Sequence, residues 1–433
     1  MTDTSVGLIG LGVLLILIFV GMPIGFAMAL VGFVGFALIA GMEGALSNLS
    51  AVPFGYVADY SFVVIPLFLL MGNLAANTGI SRDIYTAAHS WVGHLRGGLA
   101  MSTVVASAGF AAVSGSSTAT AAAMGKVSFP EMQRYNYDPK IAAGSIAAGG
   151  TMGILIPPSM GFILYAILTE QSVGQLFMAG IIPGILEVVF YIAAIYILCL
   201  SNPAIAPAGP RTSFKQKLIS LKGVWSMLAL FALVMGGIYA GFFTPSEAAA
   251  IGAFGALAIS LVMRRFTLRI FINSLAETGQ TTAMIFILII GAMIFMRFLA
   301  VSNLPFVLSE FVASLNIPSY GVIAAVVVFY IFVGCFLDIF SSLVLTIPII
   351  YATIMALGFD PIWFGVIFVR VAEIGLITPP IGLNCFVIAG VTKLPVGTVF
   401  RGIIPFFIAD ILHVALLIAF PQLSLLLPRL MIK

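Results

Sequence analysis

Charge is what this sequence has least of. Of 433 residues, 18 are Lys or Arg, 15 are Asp or Glu and 3 are His, so only 8% of the chain is charged. A soluble domain carries about 25%. So little charge cannot clothe a water-facing surface, which excludes a soluble enzyme, a nucleic-acid binder and a disordered scaffold. Cysteine is scarce too. Cys199, Cys335 and Cys385 sit in apolar runs without metal-ligand spacing and are expected to be buried small hydrophobes. No Gly-x-x-x-x-Gly-Lys-Ser/Thr loop is present, so the chain does not itself consume ATP. A paired-His zinc helix and a nucleophile–base constellation are also missing, which argues against an intramembrane enzyme. What fills the chain is apolar: 62% of residues are hydrophobic and the mean hydropathy is +1.21. The expected class is an all-α polytopic membrane protein.

A spanning helix needs about 20 apolar residues. Such segments lie near 5–21, 23–41, 60–78, 141–168, 177–200, 223–241, 246–263, 280–300, 362–391 and 402–427. Met1 to Gly7 carries no Lys or Arg, and the run after it is too long for a signal peptide, so the first segment is expected to remain as a helix. Two further stretches, 98–126 and 320–350, are interrupted midway by polar or small residues and read as re-entrant hairpins. On this topology the cytoplasmic segments hold Arg82, Arg96, Lys126, Arg134, Lys140, Arg211, Lys215, Lys217, Lys222, Arg264, Arg265, Arg269, Lys393 and Arg401. The opposite internal loops, 42–59, 169–176, 242–245, 301–319 and 351–361, hold none. That asymmetry obeys the positive-inside rule, with only Arg429 and Lys433 opposing it. Both termini are then expected outside.

The chain repeats itself. Ile156-Pro157-Pro158 recurs 222 residues later as Thr378-Pro379-Pro380, and at the same offset Asp138-Pro139 matches Asp360-Pro361. Gly180-Ile181-Ile182-Pro183 matches Gly402-Ile403-Ile404-Pro405, and Pro23 matches Pro245. The expected organisation is a first repeat over 1–200, a cytoplasmic linker over 201–222 and a second repeat over 223–433. Each repeat has about five spans plus one hairpin, so the second enters from the opposite side. Inverted repeats with broken helices are the architecture of secondary transporters, whose sites lie near the midplane.

The chemistry is expected where the helices break. The first hairpin turns at Ser114-Gly115-Ser116-Ser117-Thr118-Ala119-Thr120, and its neighbouring span is expected to be interrupted by Gly149-Gly150-Thr151-Met152-Gly153 and then by the double proline. In the second half the tip is Phe336-Leu337-Asp338-Ile339-Phe340-Ser341-Ser342, and the broken span runs from Glu373 through Gly375, Thr378, Pro379 and Pro380 to Asn384. Proline removes a donor and glycine permits unusual dihedrals. Carbonyls freed in this way must face protein, water or an ion. Hydroxyls and carbonyls form a hard-oxygen cage suited to Na⁺, and the opened half-helix N-termini at Pro157-Pro158 and Pro379-Pro380 suit a carboxylate. The offset places Ser116 opposite Asp338 and Thr120 opposite Ser342, which implies two related cation sites, with a formal charge only in the second.

Other intramembrane charges carry functional expectations by their cost alone. Arg370 and Glu373, three apart, either pair with each other or leave Arg370 to face a substrate carboxylate. Arg297 is a weaker candidate for that role, or pairs internally or snorkels, Glu247 after Pro245 suits a dipole partner or helix-start cap, and Glu187, Asp410 and His413 have no assigned role. His89, Trp91 and His94 fall on a polar 80–97 segment that reads as an interfacial amphipathic helix.

The stretches SGSSTATAAAMG (114–125), GGTMGILIPPSM (149–160), LFMAGIIPG (176–184), GFFTPSEAAA (241–250) and EIGLITPPIGLN (373–384) resemble the large membrane subunit of tripartite ATP-independent periplasmic (TRAP) transporters, over about residues 7–428. The resemblance implies secondary uptake of an organic acid, usually driven by Na⁺, by an elevator-like motion of a transport domain against a scaffold. It implies two partners, a periplasmic substrate-binding protein and a small membrane subunit. The latter is expected as a separate chain, because the N-terminus begins directly with the first repeat. Carried over by position, the first Na⁺ site takes Ser116, Ser117, Thr118, Gly150 and Thr151. The second takes Asp338, Ser341, Ser342, Gly375, Thr378 and Asn384. Arg370 has no clear place in the family pattern, which makes it a candidate for substrate choice. The alternative is a stand-alone dicarboxylate or citrate symporter with similar hairpins and no binding protein.

Overall fold

The computed structural model describes residues 2–315 and 317–431; Lys433, which opposes the charge rule, lies outside them. Among the described residues the regular structure is helical. The first half comprises α1 (Asp3–Phe19), α2 (Ile24–Ala40), α3 (Met42–Val57), α4 (Val64–Asn77), α5 (Ile80–Val92), α6 (Gly98–Ser114), α7 (Ser117–Arg134), α8 (Pro139–Leu155), α9 (Met160–Thr169) and α10 (Val173–Ser201). The second comprises α11 (Phe214–Leu221), α12 (Trp225–Tyr239), α13 (Pro245–Val262), α14 (Leu268–Ser302), α15 (Leu304–Ser314), α16 (Ser319–Gly334), α17 (Ile339–Ala356), α18 (Pro361–Gly375), α19 (Leu383–Thr392), α20 (Val396–Ala419) and α21 (Gln422–Leu430). The 222-residue offset reappears as matched helix starts: Ser117 and Ile339 open α7 and α17, and Pro139 and Pro361 open α8 and α18.

Local chemistry sets those starts. Asp138 and Asp360 cap α8 and α18, their Oδ1 atoms accepting from Lys140 N and Ile362 N, each at 2.8 Å. Proline follows at the first helical position, where a missing N–H costs nothing. Each such cap stabilises its helix by about 1 kcal/mol. Thr244 and Glu247 form a reciprocal capping box at the start of α13, so Glu247 is the cap its position suggested.

Among the described residues, seven helical runs are long and apolar enough to cross a membrane, and the α11–α12 pair, bent by 48°, makes an eighth. The first two expected spans, α1 and α2, have 17 residues each, or about 26 Å at 1.5 Å per residue, and fall just short of that count. The second arm of the 320–350 hairpin runs on to Ala356, and α17 is by itself long enough to cross. Two expected loops, 42–59 and 301–319, are the helices α3 and α15. Absence of positive charge cannot distinguish a loop from a helix. α3 packs on α2 and α14, and there Asn48 Oδ1 accepts from Arg297 Nη1 at 2.8 Å. Arg297 therefore pairs internally.

The polar 80–97 segment forms α5, with Ile80, Ile84, Tyr85, Ala87 and Ala88 buried on one face. The 201–222 stretch docks on it: Gly209 N donates to Gly93 O at 3.0 Å and Trp91 Nε1 to Lys217 O at 3.2 Å.

One expectation is corrected. Gly149 to Gly153 do not break the helix, because α8 continues to Leu155 and the break falls at 156–159. The glycines serve close approach. A Cβ on Gly153 would lie 2.4 Å from the Ser116 carbonyl oxygen, and one on Gly150 would lie 2.6 Å from Ala121 Cβ. A helical glycine costs about 1 kcal/mol relative to alanine, offset here by seating the hairpin directly on the span. The same device joins the halves, since a Cβ on Gly144 of α8 would fall 2.2 Å from the Gly402 carbonyl oxygen of α20.

Candidate functional site

The two hairpins each turn against a broken span. α6 ends at Gly115, whose φ of +61° places it in the left-handed region. A Cβ there would meet the Pro158 carbonyl oxygen at 3.0 Å, so the tip abuts the first break directly. Ser116 caps α7 by accepting from Ala119 N, and Ser159 caps α9 by accepting from Phe162 N at 3.2 Å. Two helix N-termini thus open beside one tip. Ser114 Oγ and Thr120 Oγ1 are hydrogen-bonded at 2.8 Å, Ser116 Oγ and Thr118 Oγ1 lie 3.4 Å apart, and Ser117 Oγ donates to the Thr151 carbonyl at 3.3 Å. Ser116, Ser117, Thr118, Gly150 and Thr151 are therefore gathered where a tip meets a span.

In the second half, α16 ends at Gly334, packed on Gly375: a Cβ on Gly375 would lie 2.4 Å from Gly334 Cα. Asp338 caps α17 through Oδ1, which accepts from Ser341 N at 2.8 Å. Thr378 Oγ1 donates to Ile374 O at 2.6 Å. Asn384 is fully buried, yet neither its Oδ1 nor its Nδ2 has a protein partner; buried Ser342 Oγ is likewise unpaired. Buried polar groups are almost always hydrogen-bonded. Unpaired buried oxygens near a helix break are of the kind that fits a small hard cation.

The two breaks differ in exposure. Pro157 and Pro158 are buried, whereas Pro379 and Pro380 are exposed. Beside the latter lies a cavity of about 310 Å³ lined by Thr378, Pro379, Phe400, Arg401, Ile403 and Phe407.

Behind both breaks sits a cluster that the sequence did not assemble. Arg370 of α18 is fully buried. Its Nη1 lies 3.0 Å from Glu187 Oε1 and 3.5 Å from Glu373 Oε2, its Nη2 contacts Asp410 Oδ1, and its Nε donates to His413 Nδ1 at 3.0 Å. Glu187, Glu373, Asp410 and His413 are all fully buried as well. The expected Arg370–Glu373 pair is thus one edge of a four-helix arrangement. Tyr191 stacks near the guanidinium at 6.0 Å, and Thr151 Oγ1 donates to Glu187 Oε1 at 3.1 Å. Glu187 comes from α10, Arg370 and Glu373 from α18, Asp410 and His413 from α20, and Thr151 from α8. The one sequence signal for this cluster was the number of charged residues in otherwise apolar spans.

A family model described as the tripartite ATP-independent periplasmic transporter, DctM component, matches residues 11–423. The chain is 37% identical over 401 residues to the C4-dicarboxylate TRAP transporter large permease protein DctM of Pseudomonas aeruginosa, covering 90% of this chain and 93% of that one. It is 32% identical over 415 residues to the sialic acid TRAP transporter large permease protein SiaM of Vibrio cholerae, covering 96% of each. The solved structure of the Alcanivorax borkumensis YdaH transporter shares the fold, with a TM-score of 0.65 at 15% identity over 88% of this chain and 89% of that one.

Proposed function

Because the chain belongs to the DctM component family of the tripartite ATP-independent periplasmic transporters, a family of multi-pass membrane permeases and not of enzymes, we propose that it takes up an organic acid across the bacterial inner membrane, driven by Na⁺. The observation that supports this is the pair of hairpin tips, each seated on a broken span and each carrying hydroxyl or carboxylate oxygens. Ser116, Ser117, Thr118, Gly150 and Thr151 would hold one ion. Asp338, Ser341, Ser342, Gly375, Thr378 and Asn384 would hold the other, with Asp338 supplying formal charge and Asn384 an otherwise unpaired amide. Relatives named for a C4-dicarboxylate and for sialic acid support a carboxylate as cargo.

The substrate carboxylate would meet the half-helix ends at Pro157-Pro158 and Pro379-Pro380. We assign its cationic partner to Arg401 at the rim of the open cavity. Arg370, ringed by carboxylates, holds the breaks in place instead. The matched helix starts support an inverted repeat, 1–200 and 223–433 about the 201–222 linker. The buried first break and exposed second break support an elevator, with hairpins and broken spans as the moving part and the Lys393–Arg401 end facing the cytoplasm. The family name makes this chain one of three components; a separate small membrane subunit and a periplasmic binding protein would complete the system.

Reconstitution of the chain with its small subunit in proteoliposomes tests the proposal. Uptake of a labelled organic acid should require both a Na⁺ gradient and the binding protein. Uptake by this chain alone would move it to a stand-alone symporter, and indifference to Na⁺ would refute the coupling.

A further inference from the structure

The linker between the halves carries positive charge without counter-ions. No Asp or Glu occurs between Glu187 and Glu247, and inside that stretch Arg211, Lys215, Lys217 and Lys222 fall close together. Among the described residues none of the four forms an ion pair. The one carboxylate at the end of α11, Asp83 against Gly223, is held bidentately by Arg265. The second observation is apolar. α11 is started by a reciprocal capping box between Ser213 and Gln216. α5 steadies it, because Trp91 Nε1 donates to Lys217 O at 3.2 Å and Lys217 Nζ lies 5.8 Å from the centroid of that ring. Yet no residue of α11 is buried. Phe214, Leu218 and Leu221, spaced i, i+4 and i+7, share one face and are between 43% and 70% exposed. At 3.6 residues per turn, Lys215 and Lys222 border that face on one side and Lys217 on the other. Helices this short are marginal in water, so an open apolar face on one calls for an apolar cover. The place of α11 identifies the cover. It is bent by 48° from α12, the candidate span that follows, and exposed Trp225 stands at the start of that span, a residue enriched at membrane–water interfaces.

We propose that α11, with Arg211, Lys215, Lys217 and Lys222, is a binding surface for anionic phospholipid. Phe214, Leu218 and Leu221 enter the headgroup–acyl boundary, and the lysines reach the phosphate-bearing headgroups beside it. Charge complementarity selects this occupant, since an anionic lipid surface supplies negative charge and apolar cover together. The assignment of that surface to the inner leaflet rests on the orientation in the proposed function. Bound there, α11 fixes the depth of the linker, and through the Trp91–Lys217 and Gly209–Gly93 bonds it fixes α5 as well.

The test places a fluorophore on Ile219→Cys, exposed on α11; the native cysteines are all buried. The labelled chain, assembled with a cysteine-free small subunit, is reconstituted in phosphatidylcholine vesicles. Brominated phosphatidylglycerol or brominated phosphatidylcholine is included as quencher at equal mole fraction. Phosphatidylglycerol should quench more strongly, and its advantage should shrink at about 1 M salt, where screening is nearly complete. Lys215→Gln, Lys217→Gln and Lys222→Gln together should abolish the preference. The loss in affinity should reach up to about a hundredfold, at about fivefold for each positive charge near an anionic surface. Arginine at the same three positions should restore the preference, and Arg429→Gln, at the far end of the chain, should leave it unchanged. Equal quenching by the two lipids, or a preference that survives the triple glutamine variant, would overturn the proposal. Absence of quenching by either lipid would also overturn it, in favour of a protein cover over α11. None of these readouts needs Na⁺ or substrate, so failure of the transport reading leaves them interpretable. Labelling of Ile219→Cys in whole cells by a membrane-impermeant maleimide would overturn the orientation alone.

Discussion

Replacing Arg370 with Leu separates a residue that holds the site together from one that binds substrate. Arg370 is the one guanidinium among Glu187, Glu373 and Asp410, with contacts of 3.0 Å to Glu187 and 3.5 Å to Glu373 and a direct pairing with Asp410. At an effective dielectric of about 20, one unit pair 4 Å apart is worth about 4 kcal/mol. Leucine removes that attraction and leaves three carboxylates without a counter-ion in a place sealed from water. Breaking a buried pair in this way costs about 3–5 kcal/mol, a large share of the roughly 5–15 kcal/mol that holds a typical fold together. The assay is thermal unfolding of the purified protein, followed by the fraction that remains monodisperse on size exclusion after heating. Arg370→Leu should fall well below the wild type. Adding Glu187→Gln to it should recover part of the loss, because contacting residues are not additive. Wild-type thermal stability together with weakened affinity for the organic acid would refute this account and return Arg370 to the substrate.

Asp338→Asn should keep α17 capped, since asparagine caps a helix about as well as aspartate, and so should leave the folded yield unchanged. Its half-saturation by Na⁺ in uptake should rise by about a hundredfold or more, since one unit charge about 4 Å away at an effective dielectric of about 20 is worth about 4 kcal/mol; an unchanged Na⁺ curve would remove Asp338 from the site. Gly153→Val puts a side chain where a Cβ already lies 2.4 Å from the Ser116 carbonyl oxygen. It should destabilise the protein by about 1–3 kcal/mol through overpacking and impair Na⁺-coupled uptake; wild-type kinetics would mean that the tip does not rest on that face. Arg401→Ala should raise the KM for the organic acid while leaving Na⁺ half-saturation in place, and an unchanged KM would move the anion contact elsewhere.

Much of this architecture could be read in the sequence because a membrane simplifies the problem. Long apolar runs, the one-sided placement of Lys and Arg, and the 222-residue offset all follow from bulk chemistry and survive without coordinates. The double prolines likewise marked both breaks, because two successive prolines remove two donors and crowd the preceding turn, whereas single prolines such as Pro183 and Pro405 stay inside continuous helices. The glycines did not carry the same message. Gly150 and Gly153 read as helix breakers, yet they are helical and serve contact with Ala121 and Ser116. Composition cannot separate a glycine chosen for its dihedrals from one chosen for its missing side chain. α3 and α15 were hidden for a related reason, since charge asymmetry reports which side of the membrane a segment occupies and nothing about its conformation. The Arg370 cluster is the clearest case of information that exists only after folding. Its members stand at 151, 187, 370, 373, 410 and 413, and of these Arg370 and Glu373 share one helix turn while Asp410 and His413 share another.

That cluster also bears on how the two proposed cation sites would work as one device. Glu187 and Thr151 belong to the first half of the chain, and Arg370, Glu373, Asp410 and His413 to the second, so the charges pair between the halves. The glycine contact between Gly144 and Gly402 joins α8 to α20 backbone to backbone across the same boundary. A buried ion cluster is a poor source of stability compared with well-packed apolar residues, so its presence calls for another reason. Separating the two broken spans would expose unpaired charge to hydrocarbon, whereas keeping them together costs nothing further. The cluster therefore penalises independent movement of the two breaks. Both proposed ion sites would then be held to the same rigid body.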